Sequence, residues 1–396
     1  MSDNHCTNDK RCIVCDSDNI SLFIEISQLP VHCNQLFLSY ELAVNAQRAD
    51  IDLAYCKNCS HVFNLAFDPK LMKYDQDYEN SLHFSSRYQL YAEKLAKHLI
   101  DTYDLHNKTI IEIGCGKGDF LKLLCHLGPN YGIGFDPSYD NIRNNEKKYE
   151  NITFIKDFYS PAYSHLKADF ICCRQVLEHL QYPRQLLDCL HQAINTQNNA
   201  TVFFEVPNGN YSFKDLGIWD LIYEHRSYFC HRSLEYIFSA CGFDIYNCFE
   251  TFDGQFLNIE VIPKSDLNSS NKQTAFQKQS IDRYIETFAQ KHNNTVEKWR
   301  NDLQQLNQKK IVVWGAGSKG VTFLNILDTA NQIDFAIDIN PHKQDKFIPA
   351  TAQKVVSPDF LKKYNPNTVV VMNPIYMKEI QQFIHQLNLK PQVFCA

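Results

Sequence analysis

The stretch KTIIEIGCGKGDFLKLLCHLG, residues 108–128, limits the fold more than any other part of the chain. It reads as a short strand from Thr109 to Ile113, a loop carrying Gly114, Gly116 and Gly118, and an amphipathic helix with Phe120, Leu121, Leu124 and Leu127 turned inward. Glycines at alternate positions let the backbone turn sharply and approach a ligand where a Cβ would collide. Further strands follow: YGIGFD ending at Asp136, ITFIKD ending at Asp157, ADFICC leading into RQVLEHL, and TVFFEVPN, which includes Glu205. Strands alternating with helices and ending in acidic residues predict a parallel sheet that binds ligands at its carboxyl edge. There Asp136 is placed to accept hydrogen bonds from the two hydroxyls of a ribose.

A second unit of the same kind lies near the C-terminus. KKIVVWGAGSKGVTFLNIL gives strand, G-x-G-x-x-G (Gly315, Gly317, Gly320) and helix, and the strand IDFAIDIN ends past Asp338. Such a half-fold holds the phosphates of a nucleotide at a helix N-terminus, or else the loop only packs helix on strand. A length of 396 residues predicts two or three domains. The expected layout is an N-terminal module (1–68), a helical connector (69–105) with Leu90, Leu95, Leu99 and Ile100 inward, a core (106–263), a linker and helix (264–308) and a C-terminal domain (309–396).

Four of the 15 cysteines form two C-x-x-C knuckles, Cys12 with Cys15 and Cys56 with Cys59. Two such pairs complete a closed tetrahedral zinc site, whereas a redox dithiol needs only one pair and a strand-to-helix setting that is missing here. The N-terminal module is therefore expected to fold around structural Zn2+. The adjacent Cys172 and Cys173 in an apolar strand suit a reducing compartment. A net charge of −6 without long single-sign runs disfavours nucleic acid as a partner. No apolar segment reaches bilayer-spanning length, so a cytoplasmic monomer or homodimer acting on a small molecule is expected.

The motif EIGCGKGDF resembles the first motif of the class I S-adenosylmethionine-dependent methyltransferases. That resemblance implies an α/β fold with a central Rossmann-like sheet, flanked here by the small zinc module and a C-terminal Rossmann-like domain. It implies S-adenosylmethionine as cofactor, with Gly114 and Gly116 at its methionine part, Asp136 at the ribose, Asp157 near the adenine amino group, and Glu112 and Gly118 also among the cofactor-binding residues. Zinc knuckles, this core, an E-H-x-x-Y-F segment and a C-terminal glycine loop occur together in the sugar C-methyltransferases, which methylate a carbon of nucleotide-linked deoxy-keto-sugars. The chain resembles them over nearly its whole length.

By that resemblance the segment YEHRSYF, residues 223–229, supplies the chemistry. His225 is the base, Glu224 orients substrate or imidazole, and Tyr223 or the upstream Tyr78 stabilises an enolate. Gly315, Gly317, Gly320 and Asp338 would hold the substrate nucleotide. The family segment reads Tyr-His-Glu-His, whereas Ile222-Tyr223-Glu224-His225 displaces the tyrosine by one position. His179, in LEHL, is a rival base and Glu205 a lesser one. An O- or N-methyltransferase of a small metabolite, or a non-catalytic nucleotide-sugar-binding module, remain alternative readings.

Overall fold

The computed structural model describes residues 11–73, 78–140, 149–195, 200–264, 281–306 and 309–396. The extreme N-terminus and most of the polar linker expected after residue 264 lie outside the described residues. Near the N-terminus β1 (Ile20–Pro30) pairs antiparallel with β2 (Arg48–Cys56), which pairs with the short β3 (Val62–Asn64).

The central sheet begins with β4 (Thr109–Ile113), β5 (Tyr131–Phe135), β6 (Ile152–Ile155), β7 (Phe170–Arg174) and β8 (Thr201–Pro207), all parallel. Every residue of β7 is buried, as a strand covered by helices on both faces requires, so Cys172 and Cys173 act there as small apolar fillers. The chain then leaves this sheet. β9 (Ser227–Tyr228) pairs antiparallel with β3 and completes the N-terminal sheet in the order β1-β2-β3-β9. The hairpin of β10 (Phe243–Thr251) and β11 (Phe256–Pro263) returns to give the order β10-β11-β8-β7-β4-β5-β6.

Ser85 caps the helix Ser86–Tyr103 by accepting from the Tyr88 amide. Its buried stripe is Tyr88, Ala92, Leu95, Ala96, Leu99 and Ile100, while Leu90, expected inward, lies on the exposed face. Sequence spacing from Leu95 alone leaves two faces open; the aromatic at 88 decides between them by packing edge-on against Phe252. On the helix Asp119–Leu127, Phe120, Leu121, Leu124 and Cys125 are buried. Leu127 is only partly covered.

The C-terminal sheet is wholly parallel, in the order β14-β13-β12-β15-β16, from β12 (Ile311–Trp314), β13 (Phe335–Ile337), β14 (Lys354–Val356), β15 (Thr368–Val371) and β16 (Gln392–Cys395). Its strand order reverses between β12 and β15, as that of the central sheet does between β4 and β7, and such switch points open a crevice at the carboxyl edge. The helix Asp282–Gln305 buries Phe288 edge-on between Phe23 of β1 and Phe213. One apolar cluster runs from Ile24 and Leu53 of the N-terminal sheet through Trp219 and Tyr223 to Val313 and Val370 of the C-terminal sheet. The expected segments therefore share a core. No helix among the described residues is long and apolar enough to cross a membrane.

Candidate functional site

The carboxyl edges of the two doubly wound sheets open onto one cavity of about 620 Å³. Gly114, Gly116, Arg174 and Glu178 line it from the central sheet and its loops, Gly315, Gly317, Lys319 and Asp338 from the C-terminal one, and Asn34, Tyr78 and His225 from three segments outside both sheets.

Gly114, Gly116 and Gly118 all have positive φ, the left-handed region that β-carbon-bearing residues avoid. A Cβ on Gly114 would lie 2.1 Å from Val176, but one on Gly116 would meet nothing within 4 Å and would project into open space. Beside this cradle Glu112 ends β4. Its Oε2 is buried without a hydrogen-bond partner, and burial pushes its carboxyl up to about 8. Asp136 and Asp157 do not line the cavity. Asp136 accepts from the Gly116 amide at 2.8 Å and from the Ser138 amide and hydroxyl at 2.7 and 2.6 Å, so it braces the loop. Asp157 accepts from the Phe158 amide and the Tyr163 hydroxyl on the exposed surface.

Arg174 ends β7 and lies over the Phe120 ring at 4.0 Å. It donates to Glu205 through Nε (3.1 Å) and Nη2 (2.9 Å). Glu205 also accepts from Gln175 and Tyr91 and is fully buried. A carboxylate so occupied is no base, which corrects that expectation.

In YEHRSYF a turn at Tyr223 and Glu224 separates the three side chains. Tyr223 points into the apolar core, stacks on Phe67, accepts from the Asp68 amide at 2.7 Å and donates to the Ala66 carbonyl. It does not reach the cavity, so its expected role at an enolate is corrected; Ile222 lines the cavity in its place. Glu224 is fully buried. Its Oε1 accepts from the Cys33 amide at 2.5 Å and its Oε2 from the Tyr78 hydroxyl at 2.6 Å, so it holds the cavity wall and touches no substrate space. His225 faces the cavity, with Nδ1 buried and unpartnered. Burial, then the neighbouring His179 and Lys319, hold its imidazole well below the ordinary histidine range, so it is neutral.

His179 lies edge-on to His225, ring centres 5.0 Å apart, and its Nδ1 is 3.0 Å from the Glu224 carbonyl. Sequence reading missed Glu178. Both its oxygens are buried without hydrogen-bond partners, and burial pushes its carboxyl up to about 8. Its place just beyond β7, at a carboxyl sheet edge, was the available signal.

The C-terminal loop repeats the first. Asp338 Oδ2 accepts from the Ala316 amide at 3.0 Å, as Asp136 does from Gly116, and its Oδ1 takes the Asn340 amide. A Cβ on Gly320 would come within 1.9 Å of the Gly315 carbonyl oxygen, so this glycine serves close packing of helix on loop. Lys343 is buried, its Nζ 3.4 Å from the Ala316 carbonyl, and Lys319 pairs with Asp220. Neither lysine was singled out in the sequence.

Remote from the cavity, Cys12, Cys15, Cys56 and Cys59 bring their sulfurs within 4.8 Å of one another, with Cys12 to Cys59 and Cys15 to Cys56 both at 3.5 Å. Four thiols at this spacing could hold a metal ion.

Two glycine loops thus line one cavity of an α/β fold. Residues 84–247 match the family model described as a methyltransferase domain, and residues 266–390 that described as a C-methyltransferase C-terminal domain. The ubiquinone biosynthesis O-methyltransferase of Dictyostelium discoideum is 28% identical over 27% of this chain and 38% of its own length. A tRNA U34 carboxymethyltransferase of Campylobacter jejuni is 26% identical over 48% of this chain and 66% of its own. The chain thus spans under two thirds of the length of either. Among solved structures, a methyltransferase from Aquifex aeolicus aligns over 46% of this chain and all of its own at 14% identity and TM-score 0.36. The CurJ carbon methyltransferase aligns over 46% and 56% at 13% identity and TM-score 0.35. The chain carries a methyltransferase domain, and its pairing with the second domain supports a C-methyltransferase family and S-adenosylmethionine as methyl donor.

Replacing Glu205 by Gln leaves the buried Arg174 charge without its counter-ion, and breaking such a pair costs about 3–5 kcal/mol. Denaturant unfolding should show a loss of that size; unchanged stability with lost activity would restore Glu205 as a candidate base.

Proposed function

We propose that the protein transfers a methyl group from S-adenosylmethionine to a carbon next to a ketone, in a nucleotide-linked deoxy-keto-sugar. The observation that carries this reading is the neutral His225, set on the wall between two glycine loops. The residues present fit the donor: the open cradle at Gly116 admits backbone-close contact, and the orphaned Glu112 Oε2 is an acceptor for its ammonium group. When bound there, S-adenosylmethionine supplies an electrophilic methyl on a sulfonium. Asp136 and Asp157 each keep acceptor capacity beside their present partners, as contacts with its ribose and adenine would need.

His225 takes the proton from the carbon beside the ketone, which makes that carbon nucleophilic. An imidazolium stranded away from water is costly, but it forms next to the enolate that its own action creates, and the pair offsets much of that cost. Asn34 has an amide proton to offer the enolate oxygen beside the one it gives Tyr78, and Tyr78 reaches that oxygen by releasing its bond to Glu224, the task first given to Tyr223 or Tyr78. Gly315, Gly317 and Lys343 receive the diphosphate of the substrate at the N-terminus of the helix Ser318–Ile326, with Asp338 bracing the loop. His179 is given an orienting role beside His225, its ring held by the contact of Nδ1 with the Glu224 carbonyl.

The four-cysteine cluster is proposed to hold zinc. Zinc–sulfur bonds of about 2.3 Å place tetrahedral sulfurs about 3.8 Å apart, close to the 3.5 Å seen. Metal analysis should find about one zinc per chain bound there, and Cys56→Ser should lose both metal and solubility because binding and folding are coupled. Metal-free protein of native stability would refute the assignment.

Gly116→Val forces a β-branched residue to positive φ and fills the cradle. Calorimetry should show no S-adenosylmethionine binding with the fold retained; normal binding would remove the donor from this loop.

The base is tested apart from methyl transfer. With S-adenosylhomocysteine in deuterated water, a keto-sugar nucleotide should exchange its α-proton by NMR. His225→Ala should slow exchange and methylation by about 10²–10⁴, and Tyr78→Phe less. Full-rate exchange in His225→Ala would defeat the base, and an O- or N-methyl product would defeat C-methylation.

A further inference from the structure

We infer that Glu178, His179 and His225 form a second, dissociable site for a divalent transition-metal cation, distinct from the four-cysteine cluster. Their donor atoms all lie within 4.8 Å of one another. Glu178 is 1% exposed, lines the cavity, and keeps both oxygens without a hydrogen-bond partner, an arrangement that buried carboxyls avoid unless something else satisfies them. His225 Nδ1 is likewise buried and unpartnered.

The tautomer of His179 adds to this. The Glu224 carbonyl can only accept, so His179 carries its proton on Nδ1, and Nε2, 3.8 Å from Glu178 Oε1, keeps its lone pair. A backbone carbonyl fixing one ring nitrogen so that the other can ligate is the common support of metal-bound histidines. Bonds of about 2.0–2.2 Å to nitrogen and oxygen require donors roughly 3–3.5 Å apart, a small contraction from the present spacing. Two imidazoles and one carboxylate suit Zn2+, Co2+ or Ni2+, with further positions open to the cavity. The nearest opposing charge, Lys319, is paired with Asp220.

A neutral imidazole has one lone pair. Once that pair is on a cation, through either nitrogen of His225, the ring cannot accept a proton. The occupied site and the base proposed above therefore exclude each other, so the cation acts as an off-state of methyl transfer; this consequence rests on the base reading, whereas the site does not.

The test titrates Co2+ into full-length protein with its four-cysteine site filled by zinc, following binding by calorimetry and by visible absorption. One further equivalent should bind without the thiolate charge-transfer band that cobalt in the cysteine cluster would give. Glu178→Gln and His179→Gln should each weaken it at least tenfold. Absence of that equivalent, or binding that both variants leave unchanged, would overturn the site. Loading should also stop α-proton exchange, with recovery on chelation by EDTA. Binding with exchange at full rate would overturn the exclusion, and with it the base, while the site stood.

Discussion

The carboxylate of Glu224 ties the cavity together. Fully buried, it takes the Cys33 amide on one oxygen and the Tyr78 hydroxyl on the other, so two segments from the N-terminal part of the chain close on the element that carries His225. Its own carbonyl fixes the ring of His179. One residue thus sets the position of three others. Removing the side chain would strand the Cys33 amide inside the protein, a penalty of about 1–3 kcal/mol before any change in geometry.

On either side of this brace the same device appears twice. An acid at the end of a second strand, Asp136 or Asp338, accepts from an amide of the glycine loop that follows the first strand, Gly116 or Ala316. In each case the loop is held open by its own fold rather than by a ligand. Direct bonds fix how the two loops face each other: Asn340 donates to Glu79, Gln255 and Asn373 exchange amide hydrogen bonds, and Glu379 accepts from Ser85 and Ser86. A reaction between two bound molecules needs their reacting atoms a few ångströms apart, and a fixed separation of two binding loops supplies that.

What could be read in the sequence was local. Strand, glycine loop and helix at 109–127 and 311–326 follow from short-range rules about φ and apolar period, and the structure has elements at these places. Side-chain direction within YEHRSYF was not legible, because the segment turns at Tyr223 and Glu224, the His225 amide donating to the Ile222 carbonyl, and that turn brings Ile222 and His225 to the cavity while Tyr223 points away. Nor was the pairing of β9 with β3, which joins residues far apart in the chain and lacks any local signal. Glu178 went unremarked beside a histidine for a related reason. An acid is conspicuous only by its missing partners, and partners are a property of the folded chain.

The charges around His225 show how a buried imidazole can still serve. Two cations on the cavity wall are paired, Arg174 with Glu205 and Lys319 with Asp220, although Lys319 still opposes a charge on the ring. Two acids on the same wall, Glu112 and Glu178, have buried oxygens without hydrogen-bond partners, and burial pushes both carboxyls up. A positive species arriving in the cavity, whether a proton on His225, a sulfonium or a metal ion, draws these carboxyls toward ionisation and is stabilised in turn. The part of the cavity beside Glu112 and Glu178 therefore favours cationic occupants, whereas Lys343 at the C-terminal loop suits the anionic diphosphate proposed there, and competition among the cations follows from the same two acids.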